Sequence, residues 1–157
     1  MSYAAVIDFP LKGVRLGLRC GERALERVEF IDDHVALLAP QTALAEQVVA
    51  QIERYFITPD TRFDLPLNLR GSAFQKRVWQ AIAAIDSGEV ASYGELARRL
   101  GSSPRAVGNG CAVNPCPIVI PCHRVVAKKG LGGFMGQREG RGMAIKRWLL
   151  DHESGAS

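Results

Sequence analysis

Four adjacent residues carry chemical potential: Pro121, Cys122, His123 and Arg124, set between the apolar run Ile118-Val119-Ile120 and Val125-Val126. Thiolate is the nucleophilic form of cysteine, and a neighbouring imidazole or imidazolium favours it. The pair therefore offers sulfur nucleophilicity. The apolar run reads as a buried strand. Pro121 cannot donate to a ladder and fixes its own φ. The strand is expected to end there, leaving Cys122 on a rigid turn at the floor of a cleft. A free cysteine is also commonly a small buried hydrophobe, and adjacency to histidine alone does not decide between the two.

Cys111 and Cys116 lie close by in sequence, so a metal site has to be weighed. Their spacing, Cys-x4-Cys-x5-Cys-His, lacks the short paired spacing of structural zinc sites, and Cys20 has no cluster around it. No metal is expected. The start of the chain has no basic region followed by a long apolar stretch, and no apolar run approaches the roughly 20 residues of a membrane helix. A cytoplasmic protein with reduced cysteines and no membrane partner is expected.

The elements that must position the Cys-His pair fall in residues 70–157. Ser72-Ala73-Phe74-Gln75 is a capping-box pattern. Phe74, Val78, Ala81, Ile82 and Ile85 then share one helical face, and Asp86-Ser87-Gly88 stops it. Ser92-Tyr93-Gly94-Glu95 opens a second helix, ending near Gly101. Ser103-Pro104 opens a third, with proline at the first helical position, running to about Val113 before Asn114-Pro115. Two short helices joined by a tight turn suggest helix-turn-helix. The third helix is unusual for a base reader, because Ala106, Gly108, Gly110 and Ala112 are small and only Arg105 is long. Small residues allow close approach, either to a narrow minor groove or to another helix. Residues 130–142 hold six glycines in thirteen positions and read as a long irregular loop with few apolar anchors. That loop is expected to be mobile until a partner orders it. A last helix carries Met143, Ile145, Trp148 and Leu149.

Residues 1–69 read as an α/β scaffolding domain. Alternating stretches at Val6–Phe9, Val14–Leu18 and Leu25–Phe30 predict short strands. Leu44, Val48, Val49, Ile52 and Phe56 predict a helix from about Thr42 to Tyr55, and 57–69 reads as a linker. This half carries 7 Lys+Arg against 10 Asp+Glu, and residues 70–157 carry 13 against 6. A basic second half fits a polyanionic partner.

Taken in order, Ser92-Tyr93, Arg105-Ala106-Val107-Gly108, Asn114-Pro115, Ile120-Pro121-Cys122-His123-Arg124-Val125-Val126 and Trp148-Leu149-Leu150-Asp151-His152-Glu153 resemble the O6-alkylguanine-DNA alkyltransferases, also called methylated-DNA–protein-cysteine methyltransferases. The match covers most of residues 70–153. Residues 1–69 fit the family's N-terminal α/β domain only in outline. The resemblance implies a small antiparallel sheet plus helix, followed by a mostly helical domain with a winged helix-turn-helix-like DNA-binding motif. It implies a monomer that needs no cofactor. The partner would be duplex DNA bearing O6-alkylguanine, with O4-alkylthymine as a second lesion.

The resemblance also implies roles. Cys122 would accept the alkyl group, His123 would take its proton through a water, and Glu153 would hold the histidine. Tyr93 would bond the flipped base, and Asn114 would brace the turn. The carbonyls of Cys122 and Val125 would accept from the guanine amine. Phe134 and Met135 would cover the base. Arg105 would fill the vacated stack, with Ala106, Gly108 and Arg138 at the DNA. Arg124 would pair with a carboxylate. One departure stands out: the Gly-Tyr pair usual after the Cys-His-Arg motif is missing, and the loop is about four residues longer. Two other functions remain: a non-catalytic binder of alkylated DNA, or a regulator that senses alkylation or oxidation at Cys122. A Cys-His hydrolase fits less well, because it would need an oxyanion site and usually a distant histidine.

Overall fold

Three short strands build the first layer because apolar and polar residues alternate along them. In the computed structural model, which describes residues 2–155, they are β1 (Ala5–Asp8), β2 (Val14–Cys20) and β3 (Leu25–Asp32). They form an antiparallel sheet in the order β1-β2-β3, with Ile7 opposite Leu16 and Leu16 opposite Phe30. Helix α1 (Ala43–Ile57) starts where Thr42 Oγ1 accepts from Ala45 N at 3.1 Å. It buries Val48, Val49, Ile52 and Tyr55, and Leu16, Leu18 and Leu25 of the sheet are fully buried in the same unit. Phe9 stands edge-on to both Phe30 and Phe56, with centroids 5.6 and 5.5 Å away.

The expected linker is not a free one. Leu25 N donates to Pro66 O at 2.8 Å and Asn68 N to Leu25 O at 2.9 Å, so residues 66–68 pair with one edge of β3. Packing divides the chain into two compact units, Met1–Arg70 and Gly71–Ser157.

In the second unit, Ser72 and Gln75 close a reciprocal capping box on α2 (Ala73–Ala83). Val78, Trp79 and Ile82 are buried. Ser92, in the two-residue strand β4 (Ala91–Ser92), caps α3 (Tyr93–Leu100), and Gly101 ends it at φ 62. Ser103 caps α4 (Pro104–Ala112). Trp79 Nε1 donates to Gly110 O at 3.0 Å. A Cβ on Gly110 would lie 3.1 Å from Val78 Cγ1. Gly110 therefore answers to close packing between α2 and α4, while Ala106, Gly108 and Ala112 stay part-exposed and Asn109 exposed on the other side.

The strand expected at Ile118–Ile120 does not form. The stretch is a tight turn, with Ile120 N donating to Cys116 O at 2.8 Å and Ile118 at φ 75. Pro115, Pro117 and Pro121 remove three ladder donors from this short segment. Its apolar residues are buried without a sheet, since Ile118 and Ile120 are 1% and 2% exposed. A single 3-10 turn, Cys122–Arg124, follows and leads into β5 (Val125–Val126), which pairs in parallel with β4. After an irregular stretch, α5 (Arg141–Ser154) closes the unit. Among the described residues no helix is long and apolar enough to cross a membrane.

Candidate active site

A cavity of about 570 Å³ opens in the second unit between α4 and the glycine-rich segment, and Cys122 lies on its wall. Cys122 is 3% exposed. Burial pushes its thiol up to about 11, while a hydrogen bond from Asn114 and the charge of Lys146 pull the other way. Asn114 is the brace of the turn. Its Nδ2 donates to Ile120 O at 2.8 Å and to Cys122 Sγ at 2.9 Å, and its Oδ1 accepts from Cys116 N at 2.9 Å. One side chain thus replaces the ladder that the prolines forbid and also donates to the sulfur.

His123 is fully buried behind the sulfur-bearing turn. Its Nε2 lies 2.7 Å from Glu153 Oε2. Arg124 forks onto the same carboxylate, Nε to Oε1 at 2.8 Å and Nη2 to Oε2 at 2.9 Å, and its Nη1 donates to Ile85 O at 2.6 Å. A carboxylate held in a guanidinium fork accepts only, so Nε2 carries the ring proton of neutral His123. Nδ1 is then the basic nitrogen, buried and without a hydrogen-bond partner among the described residues. Burial lowers the histidine's pKa more than Glu153 raises it. The ring is therefore neutral near pH 7 and able to take a proton. The carboxylate expected for Arg124 is Glu153, a pairing across 29 positions of sequence.

Tyr93, Arg105 and Gly108 line the same cavity, with Phe134, Met135 and Arg138 on its loop side. Tyr93 is pushed up to about 12 by burial, and its hydroxyl makes one long bond, 3.4 Å, to Gly133 O. Arg105 is exposed in the first turn of α4. Phe134 is buried, and Met135 sits at φ 51 in a turn closed by Phe134–Gln137 hydrogen bonds. Gly132 has φ 72, and a Cβ there would come 2.8 Å from Tyr93 Cε2. Only glycine lets the loop lie on that ring. Ala106 and Val125 are not on the cavity wall, and Val125 O already accepts from Lys146 Nζ at 2.7 Å.

Lys146 escaped the sequence reading, and Cys111 entered it only as a possible metal ligand. Cys111 is a second thiol on the cavity wall, pushed up to about 12 by burial. It is harder to ionise than Cys122, which has the Asn114 donor. Lys146 is fully buried, and its Nζ donates to the carbonyls of Val125, Leu131 and Gly133 at 2.7, 2.6 and 2.9 Å. These bonds are polar anchors from α5, which a count of the loop's own apolar residues does not register. The available signal was positional. Lys146 falls on the buried stripe of α5, with Gly142, Met143, Ile145 and Leu149, where a solvated lysine does not belong.

Residues 73–155 match the family model for the 6-O-methylguanine DNA methyltransferase, DNA binding domain. The chain belongs to this family. A methylated-DNA–protein-cysteine methyltransferase from Metallosphaera sedula is 41% identical over 104 residues, 66% of this chain and 64% of that protein. One from Mycolicibacterium paratuberculosis is 48% identical over 105 residues, 65% of this chain and 61% of that protein. The chain thus spans less than two thirds of either relative. A crystal structure of Mycobacterium tuberculosis OGT in complex with DNA superposes with a TM-score of 0.82 at 34% identity, covering 100% of this chain and 95% of that one. The small antiparallel sheet with helices is thus a fold shared with solved members. The family-model match contains every residue of the Cys122 cluster, from Tyr93 to Glu153.

Proposed function

We propose that the chain repairs alkylated DNA by direct reversal, moving the alkyl group from O6 of guanine to its own Cys122. One observation carries this: a thiol on a cavity wall, bonded by Asn114 and followed directly by a neutral, carboxylate-held histidine. At rest the sulfur is a thiol. As substrate docks, its proton passes to His123 Nδ1 through a water, and Glu153 stabilises the imidazolium. The sulfur attacks the alkyl carbon in line. The S–C bond forms, the C–O6 bond breaks, and its electron pair leaves with guanine, which is protonated as it departs. Tyr93 OH, held by only one long bond, is free to serve the base.

The target atom is unreachable inside the stack, so the base must be flipped, at a cost of a few kcal/mol. The α3–α4 pair acts as a helix-turn-helix-like element in a winged arrangement. The small outer face of α4, with Ala106 and Gly108, suits a minor groove, and Arg138 is placed for phosphate. Arg105 occupies the gap in the duplex. The product is a thioether that no group among the described residues is set to cleave, so the protein acts once. In this proposal it works as a monomer and needs no cofactor. O4-alkylthymine would fit the same chemistry.

Two outcomes test this. With labelled O6-methylguanine duplex in excess, transfer should stop at one equivalent per protein, and a progress curve running past one equivalent refutes it. Arg105→Ala should slow transfer from duplex DNA at least tenfold yet leave reaction with free O6-benzylguanine within about twofold, since only the flipping step, costing a few kcal/mol, loses support. Equal slowing on both substrates would put Arg105 in the chemistry.

A further inference from the structure

The ammonium of Lys146 is fully buried, and among the described residues no carboxylate pairs with it. A buried charge without a counter-ion is costly unless other groups replace water. Three carbonyls do so, one for each N–H: Val125 O directly after the Cys122–Arg124 turn, and Leu131 O and Gly133 O in the loop. We infer that Lys146 is a positioning residue for the sulfur: its ammonium fastens the glycine-rich wall of the cavity to the turn that carries Cys122, and keeps a positive charge within electrostatic reach of the thiol. The part in transfer rests on Cys122 being the alkyl acceptor, whereas the clamp itself does not.

The titratable groups facing Lys146 are Cys122 on its turn, Cys111 on α4 and His123. His123 is in turn held by the Glu153–Arg124 pair. Tyr93 of α3 shares the Gly133 carbonyl. When Cys122 ionises, its thiolate becomes an anion that Lys146 can answer in a water-poor site. Burial brings Lys146 down to about 8. A discharged amine has two N–H groups and a lone pair facing three carbonyls, so the clamp should loosen as pH passes that value.

The test uses the full chain. Carbamidomethylation of Cys122 by iodoacetamide, mapped by peptide mass, is followed from pH 6 to 11 in wild type, Lys146→Gln, Lys146→Met and Lys146→Arg. Below pH 8, where wild-type Lys146 is charged, the Gln and Met variants should react roughly tenfold more slowly, and the gap should narrow as pH rises past 8 and Lys146 discharges. Arg should restore most of the rate. No gap below pH 8, or a gap of the same size at every pH, would reduce Lys146 to packing and overturn the charge role. Hydrogen exchange of residues 131–134 in wild type, corrected for intrinsic rate, decides the clamp even if every variant unfolds. Protection should drop between pH 7 and 9.5, and constant protection overturns it. The haloacetamide profile needs no DNA. Failure of alkyl transfer from a lesion duplex, with that rate gap and the change in protection intact, would therefore sink the repair function and leave the clamp standing.

Discussion

Cys122→Ser is expected to abolish alkyl transfer while leaving affinity for duplex DNA within about twofold. A serine hydroxyl ionises far above any thiol and is a poorer nucleophile toward saturated carbon. Cys122 is 3% exposed and contributes little to a DNA-facing surface. The substitution should also keep the turn, since Asn114 Nδ2 can donate to a serine oxygen as it does to Sγ at 2.9 Å. Single-turnover transfer from a radiolabelled O6-methylguanine duplex, with gel-shift affinity on the same DNA, measures both quantities. Residual transfer above about one part in a thousand of wild type would point to another acceptor, with Cys111 on the same wall the first to check.

The largest loss of stability should come from Glu153→Ala. The carboxylate is 1% exposed and takes two bonds from Arg124 and one from His123. Removing one partner of a buried ionic cluster leaves the other charge uncompensated and costs about 3–5 kcal/mol. Thermal unfolding should shift down by roughly 10 °C. Glu153→Gln keeps shape and some bonds, so it should lose less stability. It should still slow transfer at least tenfold, because a neutral amide cannot stabilise an imidazolium as a carboxylate does. Denaturation and single-turnover rates on the two variants separate these effects. A Gln variant with wild-type transfer would show that Glu153 serves the fold alone.

Local signals were plain in the sequence because their physics is local. Ser72, Ser92 and Ser103 each cap a helix as their spacing implies. Val6, Leu16 and Val28 alternate into strands. The failures have a common cause in long-range partners. Ile118–Ile120 looks like a buried strand by hydropathy. Its neighbouring prolines and the Asn114 side chain turn it into a compact loop, and apolar periodicity records neither. Residues 66–68 look like a linker until the free edge of β3 takes their hydrogen bonds. Cys122 and His123 announced themselves by adjacency. The partner of Arg124 and the place of Lys146 depend on how α5 returns to the 3-10 turn, which no short window contains.

Intact-mass spectrometry after incubation with an O6-methylguanine duplex tests the central claim most directly. The expected result is a gain of one methyl group per chain, mapped to Cys122 by peptide fragmentation, with unmodified guanine left in the DNA. An unchanged protein mass over repaired DNA, or a methyl group on any residue other than Cys122, would contradict it.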